Sequence, residues 1–211
     1  MLTYKDFKQI NEVHIPSLYS EANKWRCYKN ISLAAALPAI TLAGDWAEFG
    51  VFRGEFAKML QGFCAGDPKR LLHLFDAFEG LPEQWSNTGF GKGAFALKPG
   101  ETPEFNPKTV RMHRGWFADT LPPFVAAHSA PLAFLHVDCD LYSSTKTVLE
   151  TCNSLIVPGT VLLFDEFFLP GKDGVSDDEC RAFHEWAQAH DRQFQFLWRT
   201  RWVQCAIRIL R

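Results

Sequence analysis

The sequence predicts an α/β fold in which a mostly parallel, seven-stranded sheet is closed by an antiparallel hairpin. Two observations support this prediction. From Gly44 onward, short apolar runs alternate with amphipathic stretches, which is the pattern of parallel strands joined by crossover helices. Near the end of the chain, two β-rich runs are separated only by residues 199–201, and so short a link permits only an antiparallel hairpin.

The predicted elements alternate along the chain. Strands are predicted at residues 45–50, 70–76, 109–113, 132–138, 160–166, 193–198 and 202–209, and helices at residues 54–64, 116–127, 143–156 and 176–190. Residues 1–44 are predicted to form an N-terminal helical cap, because apolar residues recur at helical spacing until Pro38 stops the pattern. Residues 45–211 then form the domain that contains the sheet.

Composition and charge are those of an ordinary globular protein that binds small molecules. The 211 residues are 47% hydrophobic and 22% charged, which is enough to bury a sizeable core. A net charge of −2 provides no basic surface for a nucleic acid, so no such partner is expected. The longest apolar run, residues 31–43, is too short to span a bilayer, which predicts no membrane segment. The six cysteines include no Cys-x-x-Cys pair and lie in apolar patterns, as reduced thiols of a cytoplasmic protein do.

The first predicted strand ends in a turn suited to a small ligand. Its apolar run breaks at Gly50 and again at Gly54, where a helical pattern begins. Glycines there let the backbone approach a ligand closely and direct a helix N-terminus at it. Glu48 replaces the first glycine of the dinucleotide-binding pattern, and its carboxylate would repel a pyrophosphate but attract an ammonium group. The turn therefore indicates S-adenosylmethionine, whereas a strand, turn and helix with a packing glycine is the structural alternative.

The second predicted strand ends in Asp76. An acidic residue that closes the strand after a glycine turn suits a ribose diol, because its carboxylate can accept hydrogen bonds from both hydroxyls. The structural alternative is a helix N-cap.

Four carboxylates follow the fourth and fifth predicted strands. Asp138 and Asp140 come after the fourth strand, and Asp165 and Glu166 come at the end of the fifth. If the two strands are neighbours, their ends lie about 5 Å apart, and like charges so close are costly unless one is protonated or a cation lies between them. Oxygen ligands alone favour Mg²⁺ over zinc. Alternatively, Asp138 and Asp140 cap the helix at 143–156 and Asp165 pairs with an arginine.

The segment at residues 85–107 interrupts the alternation of strands and helices. It is rich in glycine and proline, and loops of this length are usually functional or mobile. Because it follows the second strand, it should lie over the carboxyl edge of the sheet, where ligands bind. We interpret it as a substrate or cofactor lid, with a plain surface loop as the alternative.

Five motifs, in order, resemble those of the macrocin O-methyltransferase family. They are residues 48–54 (EFGVFRG), 75–82 (FDAFEGLP), 115–122 (GWFADTLP), 137–145 (VDCDLYSST) and 164–167 (FDEF). The resemblance covers about residues 45–190. It implies a Rossmann-like class I methyltransferase fold, with residues 45–211 as the cofactor-binding domain. It also implies an enzyme that uses S-adenosylmethionine and Mg²⁺ to methylate a hydroxyl, in many members one on a sugar of a natural product.

The resemblance also implies roles for individual residues. Those implied to contact the cofactor are Glu48, Gly50, Val51, Phe52 and Gly54 around its methionine part, Asp76, Ala77 and Phe78 around the ribose, and Gly115, Trp116 and Phe117 near the adenine. Those implied to bind the metal are Asp138, Asp165 and Glu166, with Asp140 as the base. Glu166 stands where the family commonly has aspartate, and its longer side chain would shift the metal.

Two other functions are weighed against this one. A non-catalytic S-adenosylmethionine-binding module of the same fold would keep the cofactor residues without the chemistry. A nicotinamide dehydrogenase is disfavoured by Glu48 and by the missing third glycine. Leu141 stands where catechol-type relatives have a lysine base, which disfavours catechol methylation. The predicted partner is a small-molecule hydroxyl acceptor, and the sequence leaves the oligomeric state open, a homo-oligomer included.

Overall fold

The computed structural model describes residues 8–12, 31–86, 88–168, 178–200 and 203–211. Its strands are β1 Asp45–Phe49, β2 Leu72–Asp76, β3 Val110–Arg114, β4 Leu132–Val137, β5 Val161–Phe164, β6 Phe194–Arg199 and β7 Cys205–Ile209. Its helices are α1 Glu55–Cys64, α2 Phe117–Ala127, α3 Tyr142–Thr151 and α4 Glu179–Ala189. Residues 31–36 are also helical and lead into a 3₁₀ turn at Leu37–Ala39.

The seven strands form one sheet in the order β3-β2-β1-β4-β5-β7-β6. Strands β1 to β5 pair in parallel, and β7 runs antiparallel to both β5 and β6. This arrangement confirms the predicted fold class, including the antiparallel hairpin. The strand order reverses between β1 and β4, and in open α/β sheets ligands bind outside the carboxyl ends of the strands at this point.

The core lies on both faces of the sheet. Every residue of β1, β4 and β5 is buried, as expected for strands that are covered on both sides. On one face Phe49 and Phe75 pack with residues of α2, α3 and α4. On the other face Trp46 and Phe134 pack with α1 and with residues 31–36. The central strands are therefore held rigidly, and their carboxyl ends are well placed to hold a site.

Strands predicted at 70–76 and 202–209 begin later, at Leu72 and Cys205, and two other predicted elements extend two or more residues past their observed carboxyl ends. Helix α3 ends at Thr151 rather than at residue 156, because Asn153 lies in a turn where its side chain accepts hydrogen bonds from Trp186 and Arg192. Strand β5 ends at Phe164 rather than at residue 166. There the chain leaves the sheet, and the Glu166 N–H donates to the carboxylate of Glu179 instead of to a strand.

Part of the predicted N-terminal cap is described. Leu33 and Ala36 of the helical residues 31–36 are buried in the core. The remainder of the cap, residues 1–7 and 13–30, lies outside the described residues, as does the predicted helix start at residues 176–177. The division into a cap and a domain at residue 44 therefore stays a prediction. Among the helices described, none is long and apolar enough to cross a membrane.

Candidate active site

The turn after β1 is tightly enclosed by the two neighbouring strands. The Gly50 N–H donates to the Phe75 carbonyl at 3.0 Å, and the Asp138 N–H donates to the Phe49 carbonyl at 2.9 Å. Gly50 has φ +88°, and a Cβ atom there would lie 1.8 Å from the Asp138 carbonyl oxygen. Only glycine fits both this conformation and this space. This packing brings the end of β4 beside the turn, and the close approach of the backbone to a ligand stays a prediction.

The Asp76 carboxylate joins the turns that follow β1 and β2. Its Oδ2 accepts the Val51 N–H at 2.7 Å and the Phe52 N–H at 2.8 Å, and its Oδ1 accepts the Phe78 N–H at 2.6 Å. Both phenylalanines have positive φ, +47° and +59°, which is rare for bulky residues. Asp76 therefore holds two unusual backbone conformations in place. In the described residues between β2 and β3 there is no helix for Asp76 to cap, so the N-cap alternative is wrong.

The turn at residues 115–117, which is also predicted to contact the cofactor, is hydrogen-bonded to Asp76. The Gly115 N–H donates to the Asp76 carbonyl at 3.0 Å. Trp116 is half-buried and immediately precedes α2, and the Phe117 ring contacts Phe49 with centroids 6.0 Å apart. The three turns thus converge on the carboxyl ends of β1 and β2. A carboxylate has about four positions that accept hydrogen bonds, of which Asp76 uses three, so its contact with a ribose stays a prediction.

The predicted metal ligands come together at the ends of β4 and β5. These strands are parallel neighbours, and one oxygen from each of Asp138, Asp165 and Glu166 lies within 4.8 Å of the other two. Asp165 and Glu166 are buried, whereas Asp138 is half-buried. In the described chain, α3 begins after Leu141 and has no side-chain cap. The helix-capping alternative for Asp138 and Asp140 is therefore wrong.

His136 places a positive charge within this group of carboxylates. Its ring is completely buried and stacks on Phe56 with centroids 3.8 Å apart. Nδ1 lies 3.3 Å from Glu48 Oε1, and Nε2 lies 3.9 Å from Asp165 Oδ1. Burial alone would lower the pKa of His136, but the carboxylates of Asp165 and Glu48 outweigh it and raise that pKa to about 9. The prediction of a packed core histidine was right about burial but missed this charge.

Two residues that the sequence did not indicate complete the cluster. Glu179, at the start of α4, is fully buried, and its Oε2 accepts the Glu166 N–H at 3.1 Å. Gln204, just before β7, donates from Nε2 to Asp165 Oδ1 at 2.7 Å and accepts from the Ser32 hydroxyl at 3.1 Å. A glutamate in the first turn of an amphipathic helix resembles an ordinary exposed one. Only the packing of α4 shows that it faces inward.

Negative charge predominates in this cluster. Burial raises the pKa of Glu166 and of Glu179 well above the usual value, and repulsion from the neighbouring carboxylates raises both further. Glu166 Oε2 is buried and has no hydrogen bond to a described residue. A divalent cation would supply the missing positive charge, and an all-oxygen donor set suits Mg²⁺. The residues present therefore fit the predicted metal.

Asp140 has an unusual backbone conformation beside these ligands. Its φ is +63°, a left-handed conformation that aspartate adopts more readily than most residues. Its side chain is half-buried, and the chain turns from β4 into α3 at this point. Strained backbone of this kind is concentrated at functional sites, which is consistent with the predicted position of a base.

The chain belongs to the methyltransferase domain family, whose pattern matches residues 47–167. That range contains the three turns, the predicted metal ligands and His136. The finer assignment to the macrocin family stays a proposal.

Two curated relatives are also similar in sequence. One is the 8-demethyl-8-(2,3-dimethoxy-alpha-L-rhamnosyl)-tetracenomycin-C 4'-O-methyltransferase of Streptomyces olivaceus, 31% identical over 64% of this chain and 57% of its own length. The other is the demethyldecarbamoylnovobiocin O-methyltransferase of Streptomyces niveus, 30% identical over 66% of this chain and 58% of its own length. The chain thus spans less than two thirds of either relative.

Solved structures show the same fold. The calicheamicin methyltransferase CalS11 matches with a TM-score of 0.68 and 19% identity over 96% of both chains. The O-methyltransferase NovP matches with a TM-score of 0.66 and 21% identity, over 87% of this chain and 78% of its own. At these identities the likeness concerns the fold alone.

Proposed function

We propose that this protein is an S-adenosylmethionine-dependent O-methyltransferase of the macrocin type, assisted by Mg²⁺. Its acceptor is a hydroxyl of a small molecule, namely a sugar or a glycosylated natural product. The observation that carries the proposal is the position of the carboxylate cluster directly beside the three turns that converge on Asp76. The methyltransferase domain family and the substrates named for the two Streptomyces relatives support it.

The cofactor would lie along the three turns. The turn from Gly50 to Gly54 would face its methionine part, Asp76 to Phe78 its ribose, and Gly115 to Phe117 its adenine. The Gly50 turn exposes backbone close to the switch point of the sheet, where Asp138 and Asp140 also lie. Glu48 is buried and paired with His136. We propose that its carboxylate attracts the cofactor ammonium electrostatically from behind the turn.

Asp138, Asp165 and Glu166 would hold the metal, with Gln204 and Glu179 orienting Asp165 and Glu166 through hydrogen bonds. Such supporting contacts fix the direction of ligand oxygens. Bound there, Mg²⁺ would lower the pKa of the acceptor hydroxyl and orient its oxygen.

Asp140 would accept the proton of the acceptor hydroxyl as that oxygen bonds to the methyl carbon. The bond between that carbon and the sulfur of S-adenosylmethionine would break in the same step, and S-adenosylhomocysteine would leave with the electron pair on sulfur. Since the turns and the cluster are fixed on neighbouring strands, the two reactants would be held in line, which supplies much of the acceleration. A module that only bound the cofactor would have no need for the carboxylates, which disfavours that alternative.

An exposed aromatic cluster marks the proposed acceptor side. Phe52, in the first cofactor turn, is 40% exposed, and Phe90 and Phe95, in the loop at 85–107, are 45% and 39% exposed. Phe95 contacts both other rings, with centroids 6.0 Å and 4.8 Å apart. Clustered exposed apolar surface of this kind indicates a binding site. We propose that these rings receive the apolar part of the acceptor.

The proposal is tested by incubating the purified protein with S-adenosylmethionine and Mg²⁺ against a panel of glycosides, free sugars and phenols. Release of S-adenosylhomocysteine is measured, with the variant Asp140→Asn as the matched control. Acceptor-dependent release by the wild type but not by the variant is expected. Failure to bind S-adenosylmethionine in calorimetry would overturn the proposal.

The cytoplasmic location also remains a proposal. The five described cysteines are all buried and free, which supports the proposed cytoplasmic location. The oligomeric state, which the sequence leaves open, is measured by light scattering.

A further inference from the structure

A second group of metal-ligating side chains lies near the amino ends of the strands. Asp45 begins β1, His73 is the second residue of β2, and His128 follows the end of α2. One donor atom from each of these residues lies within 4.8 Å of the other two. His73 precedes Asp76 by three residues, about 10 Å along the strand. The group is therefore separate from the proposed active site.

The spacing of the donor atoms suits a tetrahedral metal site. Asp45 Oδ2 lies 3.3 Å from His73 Nε2 and 3.6 Å from His128 Nε2. Around a zinc ion with bonds of about 2.0–2.1 Å, the ligand atoms of a tetrahedron are about 3.3–3.4 Å apart. Both observed distances are longer than an ordinary hydrogen bond of about 2.9 Å. His128 Nε2 is buried and makes no hydrogen bond to any described residue.

Neighbouring groups direct these donor atoms inward. Asp45 Oδ1 accepts the Leu71 N–H at 2.7 Å, which leaves Oδ2 facing the histidines. His73 Nδ1 lies 3.1 Å from His113 Nε2, so this hydrogen bond orients the His73 ring with Nε2 towards Asp45. Metal-binding histidines characteristically have such a partner on the second ring nitrogen. The Phe124 ring contacts both His73 and His128, with centroids 4.8 Å and 4.7 Å away, and restricts their movement.

A cavity gives access to this group. Its volume is about 470 Å³, and its lining includes His73, His113 and His128 together with Arg114 and Asp119. A metal bound by three side chains could therefore take a water molecule from the cavity as its fourth ligand.

We propose that Asp45, His73 and His128 bind one zinc ion or a similar transition-metal ion. Two imidazoles and one carboxylate favour zinc, nickel or cobalt over the magnesium that suits the all-oxygen cluster. The ion would tie the starts of β1 and β2 to the end of α2. It would thereby stabilise the folded protein, because the unfolded chain does not hold the three ligands together. This inference does not depend on the proposed methyl transfer.

The test uses Co²⁺, whose tetrahedral complexes absorb visible light strongly. Tag-free protein of residues 1–211 that carries Asp165→Asn, which weakens the carboxylate cluster, is stripped with a chelator and titrated with Co²⁺ and then with Zn²⁺. We expect a tetrahedral Co²⁺ spectrum that saturates at one equivalent and is abolished by Zn²⁺. His128→Ala should weaken binding at least ~10-fold. The matched control His190→Ala, at a partly exposed histidine that pairs with Glu150, should bind like the parent.

A thermal measurement provides a second readout. Zn²⁺ should raise the melting temperature of the parent and of His190→Ala but not that of His128→Ala. His73→Gln is a second ligand variant, and it too should weaken Co²⁺ binding. If it fails to fold, as judged by circular dichroism, Asp45→Asn replaces it. Absence of a tetrahedral spectrum in the parent would overturn the proposal, and so would equal Co²⁺ affinity in the parent and His128→Ala. Either result would return the group to an ordinary Asp–His ion pair.

Discussion

At the scale of single residues, the Asp76 carboxylate stabilises the folded protein without any ligand bound. It accepts backbone N–H groups on both of its oxygens. Asp76→Asn retains only one accepting oxygen and turns an NH₂ group towards a backbone N–H. We expect a loss of about 1–3 kcal/mol in the free energy of unfolding, measured by urea titration. Unchanged stability would contradict this bracing role, by which we mean that Asp76 holds the turns after β1 and β2 in place.

The contact of Asp76 with a ribose needs a separate measurement, because any change at Asp76 also disturbs the turns. Calorimetry should compare S-adenosylhomocysteine with its 2′-deoxy analogue on the wild-type protein. We expect the analogue to bind more weakly, by about 1.5–3 kcal/mol for one lost hydrogen bond to a charged group. Equal affinity would remove the ribose role and leave the bracing role intact.

The charge of His136 gives a pH dependence of stability. The pKa of His136 rises from 6.5 to about 9 in the folded protein, so its bound proton stabilises the fold. That contribution is complete below pH 6.5 and is lost as the pH rises through 9. His136→Leu should therefore be less stable than wild type at pH 6, with a pH-dependent difference of up to about 3 kcal/mol that narrows towards pH 9. Urea unfolding in EDTA measures it, and a difference that does not change with pH would rule out the buried cation.

Substitutions of Asp140 and Asp165 should affect different properties of the enzyme if their proposed roles are right. Asp165→Asn can still accept the hydrogen bond from Gln204, so it should weaken Mg²⁺ binding while leaving cofactor affinity nearly unchanged. Asp140→Asn should keep both affinities but lower turnover by about 10²–10⁴. Calorimetry and the S-adenosylhomocysteine assay separate the two effects. Full activity after exhaustive chelation would eliminate the metal.

At the scale of the elements, replacement by alanine should have opposite effects on stability at two glycines in adjacent segments. Gly50→Ala places a methyl group 1.8 Å from the Asp138 carbonyl in a positive-φ conformation, and a destabilisation of roughly 3 kcal/mol or more is expected. Gly62 lies within α1 and has open space around it, so Gly62→Ala should stabilise by up to about 1 kcal/mol. Thermal and urea unfolding test the pair, and similar effects at both sites would contradict the structure.

The loop at 85–107 lies over the carboxyl edge, as its place in the sequence suggested. It is also anchored there, since backbone hydrogen bonds join Gly93 to Leu81 and Leu97 to Phe78. Trp85 is buried and donates its Nε1–H to Asp178. Whether the loop acts as a lid remains a prediction. These contacts favour protection of the Gly93 and Leu97 amides without ligand, with slowing on cofactor addition confined to the stretch at 98–102. Hydrogen exchange distinguishes an anchored loop from a fully mobile lid. Fast exchange of the Gly93 and Leu97 amides without ligand would support the fully mobile lid.

At the scale of the whole molecule, the strand order creates the site. Because the order reverses between β1 and β4, the glycine turn and Asp138 become neighbours although they are far apart in the chain. Pairing of β5 with β7 then brings Gln204 to Asp165, and packing of α4 brings Glu179 to Glu166. The groups of the proposed site thus come from β1, β4, β5, β7 and α4, which only the complete fold holds together.

The sequence by itself determined the order of the elements, the closing hairpin, the glycine turns and the acidic residues at strand ends. These features depend on interactions between residues close in the chain, namely hydrophobic periodicity and turn conformation. It could also place Asp138 and Asp165 at one edge, because the carboxyl ends of parallel strands meet there.

Only the tertiary structure decided which polar groups share a buried environment. Glu48 and His136 are 88 residues apart, and Ser32 and Gln204 are 172 apart, so no local pattern connects them. The charge of His136, the inward position of Glu179, the bracing by Asp76 and the meeting of Asp45, His73 and His128 all arise in this way. The physical reason is that hydrophobic burial has a local period along the chain, whereas the electrostatic environment of a side chain depends on whatever the fold packs against it.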